Sequence, residues 1–305
     1  MNTRKLLARM IALVAGIALI LSSAALGHAQ PARSAAGGQP SSGLSPAEVN
    51  CTAFAVAGDP RSAAGATWSY TSTDGGVAYD LDGILLLPAG AGPFPGVVIS
   101  HGKGGTPNNY SAGVGRVMVG WGMAVIGTMY THAPDSADIG HLPDGADGAS
   151  EVNVQRARKA RDLLSCLGVV DMTRLAAHGH SMGAFVTGQL LGAAPADFRA
   201  ASHTAGGVSP GPNATSAAAA AQILTPYQLH HGDLDTVVVL ALDQELDQIL
   251  TDHEVTHELI VYTDYDHQEI ASDPGMLADV RAWYQLYGVL DGGPRLYLPL
   301  LQHSP

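Results

Sequence analysis

The chain has 305 residues, of which 46% are hydrophobic and 14% are charged, and its formal net charge is −12 with the histidines neutral. This length suits one large α/β domain with a substantial core. The acidic balance argues against binding to nucleic acid or to an anionic membrane surface.

The N-terminal residues resemble a secretory signal peptide. Three basic residues among the first nine precede a nearly wholly apolar stretch from Met10 to Leu26, and residues 27–29 form a small-x-small cleavage site. An uncleaved membrane anchor is the alternative interpretation. We predict that residues 1–29 are a signal peptide, that the protein is secreted or periplasmic, and that no stable membrane association remains after cleavage. Cleavage removes three basic residues and no acidic residue, which moves the net charge from −12 to −15.

The remaining chain divides by composition. Residues 30–46 are rich in Ala, Gly, Ser and Pro, which predicts a flexible leader. We predict a catalytic domain over residues 47–290 and a C-terminal tail over 291–305. Cys51 and Cys166 can form a disulfide in an oxidising compartment or remain unpaired, and the sequence leaves both alternatives open.

Strands alternate with helices along the predicted domain. Two antiparallel strands come first, and the later strands and helices alternate, which predicts a mostly parallel sheet covered by helices on both faces. Only about twenty residues separate the strands near Phe198 and Tyr227, too few for a large cap domain. The predicted strands are Thr67–Thr73, Tyr79–Leu87, Gly96–Ser100, Met123–Thr128, Leu175–His178, Phe198–His203, Tyr227–His230 and Glu258–Tyr262. The predicted helices are Asn109–Val119, Ser150–Leu164, Met182–Leu191, Ala217–Ala221, Val237–Leu250 and Met276–Tyr287.

The segment Gly179-His180-Ser181-Met182-Gly183 matches the G-x-S-x-G pattern between a strand and a helix. Such a turn strains the backbone of the serine and requires small residues two positions before and after it. It exposes the Ser181 hydroxyl and leaves the N–H of Met182 free at a helix N-terminus, where it can stabilise an oxyanion. The alternative interpretation is a glycine-rich turn with an incidental serine.

A nucleophilic serine needs a base and an acid, expected in the order Ser, Asp or Glu, His. Asp235 follows the strand Tyr227–His230, and His267 follows the strand Glu258–Tyr262. Both positions lie at carboxyl ends of strands, where ligands bind in such sheets. Other carboxylates and histidines near these strands compete for the two roles and are more typical of solvent-exposed loops: Asp233, Asp264, Asp266, His253 and His257.

Four motifs in this order resemble those of the α/β-hydrolase superfamily, and within it the lidless dienelactone-hydrolase-like and polyester-hydrolase-like serine esterases. The resemblance extends from about Thr67 to Gly288. The motifs are His101-Gly102-Lys103-Gly104-Gly105, the G-x-S-x-G segment, the H-G-x-x-D-x-x-V form that begins at His231, and Asp266-His267.

The resemblance implies an α/β-hydrolase fold without a large cap domain and a triad of Ser181, Asp235 and His267. It also implies an oxyanion hole formed by the N–H groups of Met182 and Lys103. A carboxylic ester, small or polymeric, would be the substrate. No cofactor and no metal are expected, although the loop from Tyr130 to Gly148 is rich in Asp and His. Alternatives are a serine peptidase and a non-catalytic binding protein on the same fold.

Overall fold

The computed structural model describes residues 49–72, 79–134 and 147–292. The predicted signal peptide and leader lie outside these residues, as does the predicted tail from residue 293 onward. Much of the Asp- and His-rich loop, residues 135–146, also lies outside them.

A single nine-stranded sheet runs through the described residues. Its strands are β1 (Ala55–Ala57), β2 (Ala66–Ser72), β3 (Tyr79–Leu86), β4 (Phe94–Ser100), β5 (Ala124–Thr128), β6 (Val170–His180), β7 (Ala200–Thr204), β8 (Tyr227–Gly232) and β9 (His257–Tyr262). Their order across the sheet is β1-β2-β3-β5-β4-β6-β7-β8-β9. The three neighbouring pairs β1/β2, β2/β3 and β3/β5 are antiparallel. The five remaining pairs, β5/β4, β4/β6, β6/β7, β7/β8 and β8/β9, are parallel. The predicted parallel sheet with an antiparallel N-terminal edge is therefore confirmed.

Helices cover both faces of the sheet. They are α1 (Ala112–Val119), α2 (Glu151–Leu163), α3 (Met182–Ala193), α4 (Ala217–Ala220), α5 (Ala241–Asp252) and α6 (Pro274–Leu286). Val98 of β4 belongs to a core shared with α2, α3 and α5, whereas Val97 and Ile99 belong to a core shared with α1 and α6. Successive side chains of a strand point to opposite faces, so residues 97–99, which are apolar throughout, contribute to the cores on both sides of the sheet.

Three features differ from the prediction. The short strand β1, whose three residues are exposed, was not expected because its sequence shows no alternation. The helix expected from Asn109 begins with a π-helical turn, Pro107–Ser111. The helix expected from Val237 begins at Ala241. Its first residues form a turn instead, because the N–H groups of Val237 and Val238 donate to the side chain of Asp235 at 2.8 and 2.9 Å.

Cys51 and Cys166 form a disulfide across a sequence separation of 115 residues. Cys166 lies in the 3-10 turn Leu164–Leu167 that follows α2. The bond thus ties the segment before β1 to the end of a core helix. Across the described ranges, no helix has the length and apolar character needed to cross a bilayer.

Candidate active site

Ser181 occupies the turn between β6 and α3, with φ of +56° and ψ of −123°. A positive φ is uncommon for a residue with a side chain and marks local strain. A Cβ on Gly179 would lie 2.2 Å from the carbonyl oxygen of Gly183, and one on Gly183 would lie 2.1 Å from that of Ser100. Backbone atoms cause both contacts, so the turn requires glycine at both positions.

Three side chains form a continuous hydrogen-bonded chain at the carboxyl edge of the sheet. Nε2 of His267 lies 2.9 Å from Oγ of Ser181, and Nδ1 of His267 lies 2.7 Å from Oδ2 of Asp235. The three side chains follow β6, β9 and β8, and all three residues are buried. Because a carboxylate accepts from Nδ1–H, Nε2 is left to accept the serine proton.

The competing carboxylates and histidines have other partners. Asp233 accepts the N–H of Asp264 at 2.7 Å, and Asp266 accepts the N–H of Gln268 at 2.9 Å. His253 is exposed. Nε2 of His257 lies 3.2 Å from Oδ1 of Asp247 on α5. The structure therefore brings Ser181, Asp235 and His267 together and holds these competitors in turns or on the surface.

The ring of His180 packs directly against the ring of His267 without adding charge beside it. Its ring centroid lies 4.8 Å from that of His267, and its Nδ1 lies 2.9 Å from Oγ1 of Thr204. Burial, and then the neighbouring His267, lower the pKa of His180 to about 3. His180 is therefore neutral and limits the space available to the His267 ring.

The two expected oxyanion donors come from two different segments that adjoin the serine. Met182 is the first residue of α3, where backbone N–H groups have no intrahelical acceptor. Lys103 lies in the loop after β4, and within the described ranges no backbone carbonyl accepts its N–H. A Cβ on Gly102 would lie 3.0 Å from Cβ of Ser181, so this loop passes directly beside the serine. The Lys103 side chain is exposed, and its Nζ lies 3.5 Å from Oδ2 of Asp147.

His132 holds the loop of residues 101–105, called the oxyanion loop because Lys103 is an expected donor, and the sequence did not indicate this contact. Its Nε2–H donates to the carbonyl of His101 at 2.9 Å, and its own carbonyl accepts the N–H of Gly104 at 3.1 Å. Its Nδ1 accepts the N–H of Gly148 at 3.3 Å. Burial lowers the pKa of His132 to about 4 and that of His101 to about 3, so both rings are neutral. The two backbone contacts bracket Lys103 and fix the orientation of its peptide.

Two cavities adjoin consecutive residues of the turn. One, of about 300 Å³, is lined by polar groups that include Ser181, His267, Lys103 and Tyr110. The other, of about 290 Å³, is mainly apolar, and its lining includes Met182, Phe185, Pro212, Val237 and Leu242. A substrate bound at Ser181 could therefore place one part in a polar cavity and another in an apolar one.

The described residues contain no group of three or more His, Cys, Asp or Glu side chains arranged to hold a metal ion. His132 itself is engaged in backbone hydrogen bonds, as described above. His141, Asp138 and Asp144 of the Asp- and His-rich loop lie outside the described residues.

The family model of the dienelactone hydrolase family matches residues 81–286. A search of curated proteins finds no match. Among solved structures, a cold-adapted esterase from an Arctic intertidal metagenomic library has a TM-score of 0.57 and 19% identity, over 74% of this chain and 94% of its own.

Two further solved structures, of hydrolases with other substrates, are also similar to this chain. An S-formylglutathione hydrolase from Agrobacterium tumefaciens has a TM-score of 0.53 and 14% identity, over 75% of this chain and 98% of its own. A puromycin-hydrolyzing peptidase from Mycobacterium tuberculosis has a TM-score of 0.56 and 19% identity, over 74% of this chain. The chain spans only 40% of that peptidase's length, and 35% of a dipeptidyl aminopeptidase IV structure from Bacteroides ovatus. The family match covers more than half of the chain and agrees with the sheet topology and the strained serine turn, so the chain belongs to the dienelactone hydrolase family, hydrolases of the α/β-hydrolase fold.

Proposed function

We propose that this protein is an exported serine esterase that cleaves carboxylic esters through an acyl-enzyme. The observation that carries the proposal is the unbroken chain from Ser181 Oγ through His267 to Asp235, with contacts of 2.9 and 2.7 Å. A hydroxyl, an imidazole and a carboxylate in this arrangement can activate a serine at neutral pH.

In this mechanism, Nε2 of His267 takes the proton of Ser181 as Oγ forms a bond to the ester carbonyl carbon. The carbonyl oxygen becomes an oxyanion, which the N–H groups of Met182 and Lys103 stabilise. His267 then protonates the leaving alcohol as the C–O bond breaks. Water repeats the sequence on the acyl-enzyme and releases the acid, while Asp235 holds the Nδ1–H tautomer throughout.

Two observations favour an ester over a peptide. The esterase and the S-formylglutathione hydrolase share nearly their whole length with this chain, whereas the peptidase shares 40% of its length. The mainly apolar cavity beside Met182 offers a site for an alkyl or aryl group rather than for a charged terminus.

The test compares hydrolysis of p-nitrophenyl butyrate by the wild type and by Ser181→Ala. We expect the variant to lose about 10⁵- to 10⁶-fold in kcat. A fluorophosphonate probe should label the wild type and leave the variant unlabelled. Substantial activity or labelling in Ser181→Ala would overturn the assignment of the nucleophile.

A peptide p-nitroanilide series run beside the ester distinguishes the two substrate classes. We expect kcat/KM for the ester to exceed that for every anilide by much more than the difference in their uncatalysed rates. A preference for an anilide would instead identify a peptidase. For the proposed export, N-terminal sequencing of the protein recovered outside the cytoplasm should begin at Gln30, and an intact Met1 would contradict it.

A further inference from the structure

A second histidine, His231, lies directly behind the carboxylate of Asp235. Its Nδ1 lies 2.6 Å from Oδ2 of Asp243 on α5, and its Nε2 lies 2.8 Å from the carbonyl oxygen of Val238. The same Nε2 is 3.6 Å from Oδ2 of Asp235, the oxygen that binds His267. The side chains of His231, Asp235 and Asp243 have no solvent exposure.

The partners of His231 determine which of its nitrogens carry protons. A carbonyl oxygen can only accept, so Nε2 must carry a hydrogen toward Val238. Oδ1 of Asp243 lies 2.7 Å from Nε2 of His203, and Oδ2 faces His231. An ionised Asp243 accepts from both rings, which requires a hydrogen on Nδ1 of His231 as well. Both nitrogens then carry hydrogens, so the ring is an imidazolium.

Electrostatics supports the same assignment. Burial disfavours the charged ring, but the hydrogen bond and charge of Asp243 outweigh burial and raise the pKa of His231. Burial also opposes ionisation of Asp243, yet the facing His203 and His231 hold the pKa of its carboxyl well below the usual range. A buried charge persists only when it is paired and hydrogen-bonded, and here each partner satisfies the other.

We propose that His231 is a positioning residue that acts as a buried imidazolium: together with Asp243, it holds the carboxylate of Asp235 in place and partly offsets its charge. The inference rests on the proposed function, because it assigns Asp235 to the triad. Asp235 then has three kinds of partner: the N–H groups of Val237 and Val238 on Oδ1, His267 on Oδ2, and the imidazolium behind it.

The charge has a consequence for catalysis. A positive charge behind Asp235 weakens the stabilisation that this carboxylate gives to the imidazolium formed at His267 when it takes the serine proton, and removing that charge should strengthen it. Among the described residues, the titratable groups facing the His231–Asp243 pair are Asp235 after β8, His203 on β7, Tyr227 on β8 and His267 after β9. Tyr227 contacts His203 and completes the network on its far side.

The charge of His231 can be read directly by NMR. Protein labelled with ¹⁵N-histidine is examined at pH 7, and the His231 resonances are identified as those missing from His231→Gln. Two protonated ring nitrogens are expected, the signature of an imidazolium. One protonated and one bare nitrogen would overturn the proposal. This readout does not depend on hydrolysis, so it remains decisive even if the Ser181→Ala experiment refutes the esterase assignment.

The effect on the reaction is measured by the pH dependence of kcat/KM for p-nitrophenyl butyrate. The acidic limb of this profile reports protonation of the base in the free enzyme. In His231→Gln we expect the limb to move to higher pH by about one unit. An unchanged limb, or a shift to lower pH, would refute the electrostatic role even if kcat fell, because a purely structural loss lowers the whole profile without moving it.

The adjacent His230 provides the matched control. It lies on the opposite face of β8, is equally buried, and contacts Tyr262 and Gln228 rather than the triad. Burial holds its pKa well below the usual value, so His230→Gln removes no charge. The acidic limb of the kcat/KM profile of His230→Gln should coincide with that of the wild type. A shift equal to that of His231→Gln would overturn the proposal.

His231→Gln leaves Asp243 buried without its counter-charge and can therefore fail to fold. The double variant His231→Gln/Asp243→Asn replaces the pair with two neutral amides. Because His231 contacts Asp235 directly at 3.6 Å, we expect the loss of its charge to outweigh the loss of the Asp243 charge, so the limb should still move upward, by less than one unit. A double variant that folds and retains the wild-type limb would refute the proposal.

Discussion

Acidification is expected to destabilise this protein because its core holds neutral histidines. Five buried histidines share this property: His101, His132, His178, His180 and His230. Burial lowers the pKa of His101, His178 and His180 to about 3 and that of His132 to about 4. It also lowers the pKa of His230 well below its ordinary value. Unfolded, each titrates near its ordinary pKa of about 6.5. Below that pH the unfolded state binds more protons, so stability falls as the pH falls toward the folded pKa values.

The magnitude follows from the same shifts. At pH 5 proton binding stabilises the unfolded chain by about 2 kcal/mol for each histidine that stays neutral in the folded protein. Five such histidines together approach about 10 kcal/mol. Repulsion between neighbours such as His101 and His132 contributes to these shifts, so the five do not add independently, and we expect a loss of about 5–10 kcal/mol between pH 7 and 5. His231 acts with the opposite sign, because its raised pKa contributes stability at low pH that is lost as the pH rises. A loss of this size is comparable with the whole stability of a typical domain, about 5–15 kcal/mol.

The assay is urea unfolding followed by tryptophan fluorescence at pH 7, 6 and 5. The unfolding free energy should fall as the pH falls, and its slope against pH should correspond to the uptake of several protons per molecule on unfolding. His230→Gln should reduce that slope by about one proton. The exposed His253, replaced in His253→Gln, serves as the control and should leave the slope nearly unchanged. A total change below about 1 kcal/mol between pH 7 and 5 would refute the reasoning that these histidines are neutral in the folded protein.

Three further changes test the site and the fold. Gly183→Ala places a Cβ 2.1 Å from the Ser100 carbonyl oxygen and should lower kcat at least about 100-fold, measured on p-nitrophenyl butyrate; near-normal turnover would contradict the required close approach. His132→Phe removes the side-chain hydrogen bonds that hold the oxyanion loop and should lower kcat about 10- to 100-fold with little change in KM, whereas a rise in KM alone would indicate a binding role. Cys51→Ser/Cys166→Ser opens a loop of 115 residues and should cost about 4 kcal/mol in urea unfolding under oxidising conditions; an unchanged midpoint would show that the disulfide adds nothing.

Local patterns predicted the parts of the fold that depend on neighbouring residues. The apolar run Gly96–Ser100 predicted a buried strand, and the alternation of strands with helices predicted a parallel sheet. The predicted start of α5 was wrong because the N–H groups of Val237 and Val238 donate to the side chain of Asp235 and these residues form a turn instead of a helix. The periodicity of the sequence does not indicate these hydrogen bonds. The strand β1 was missed because its three exposed residues are held by pairing with β2 rather than by burial.

The sequence by itself determined the serine turn and the order in which Ser181, Asp235 and His267 follow their strands, because each depends on residues close together in the chain. The tertiary structure alone decided what lies behind them. His132 reaches the oxyanion loop from 31 residues away, and Asp243 reaches His231 from a helix on one face of the sheet. A histidine's protonation state is set by the acceptors around it and by its burial, and these exist only once the strands and helices have packed.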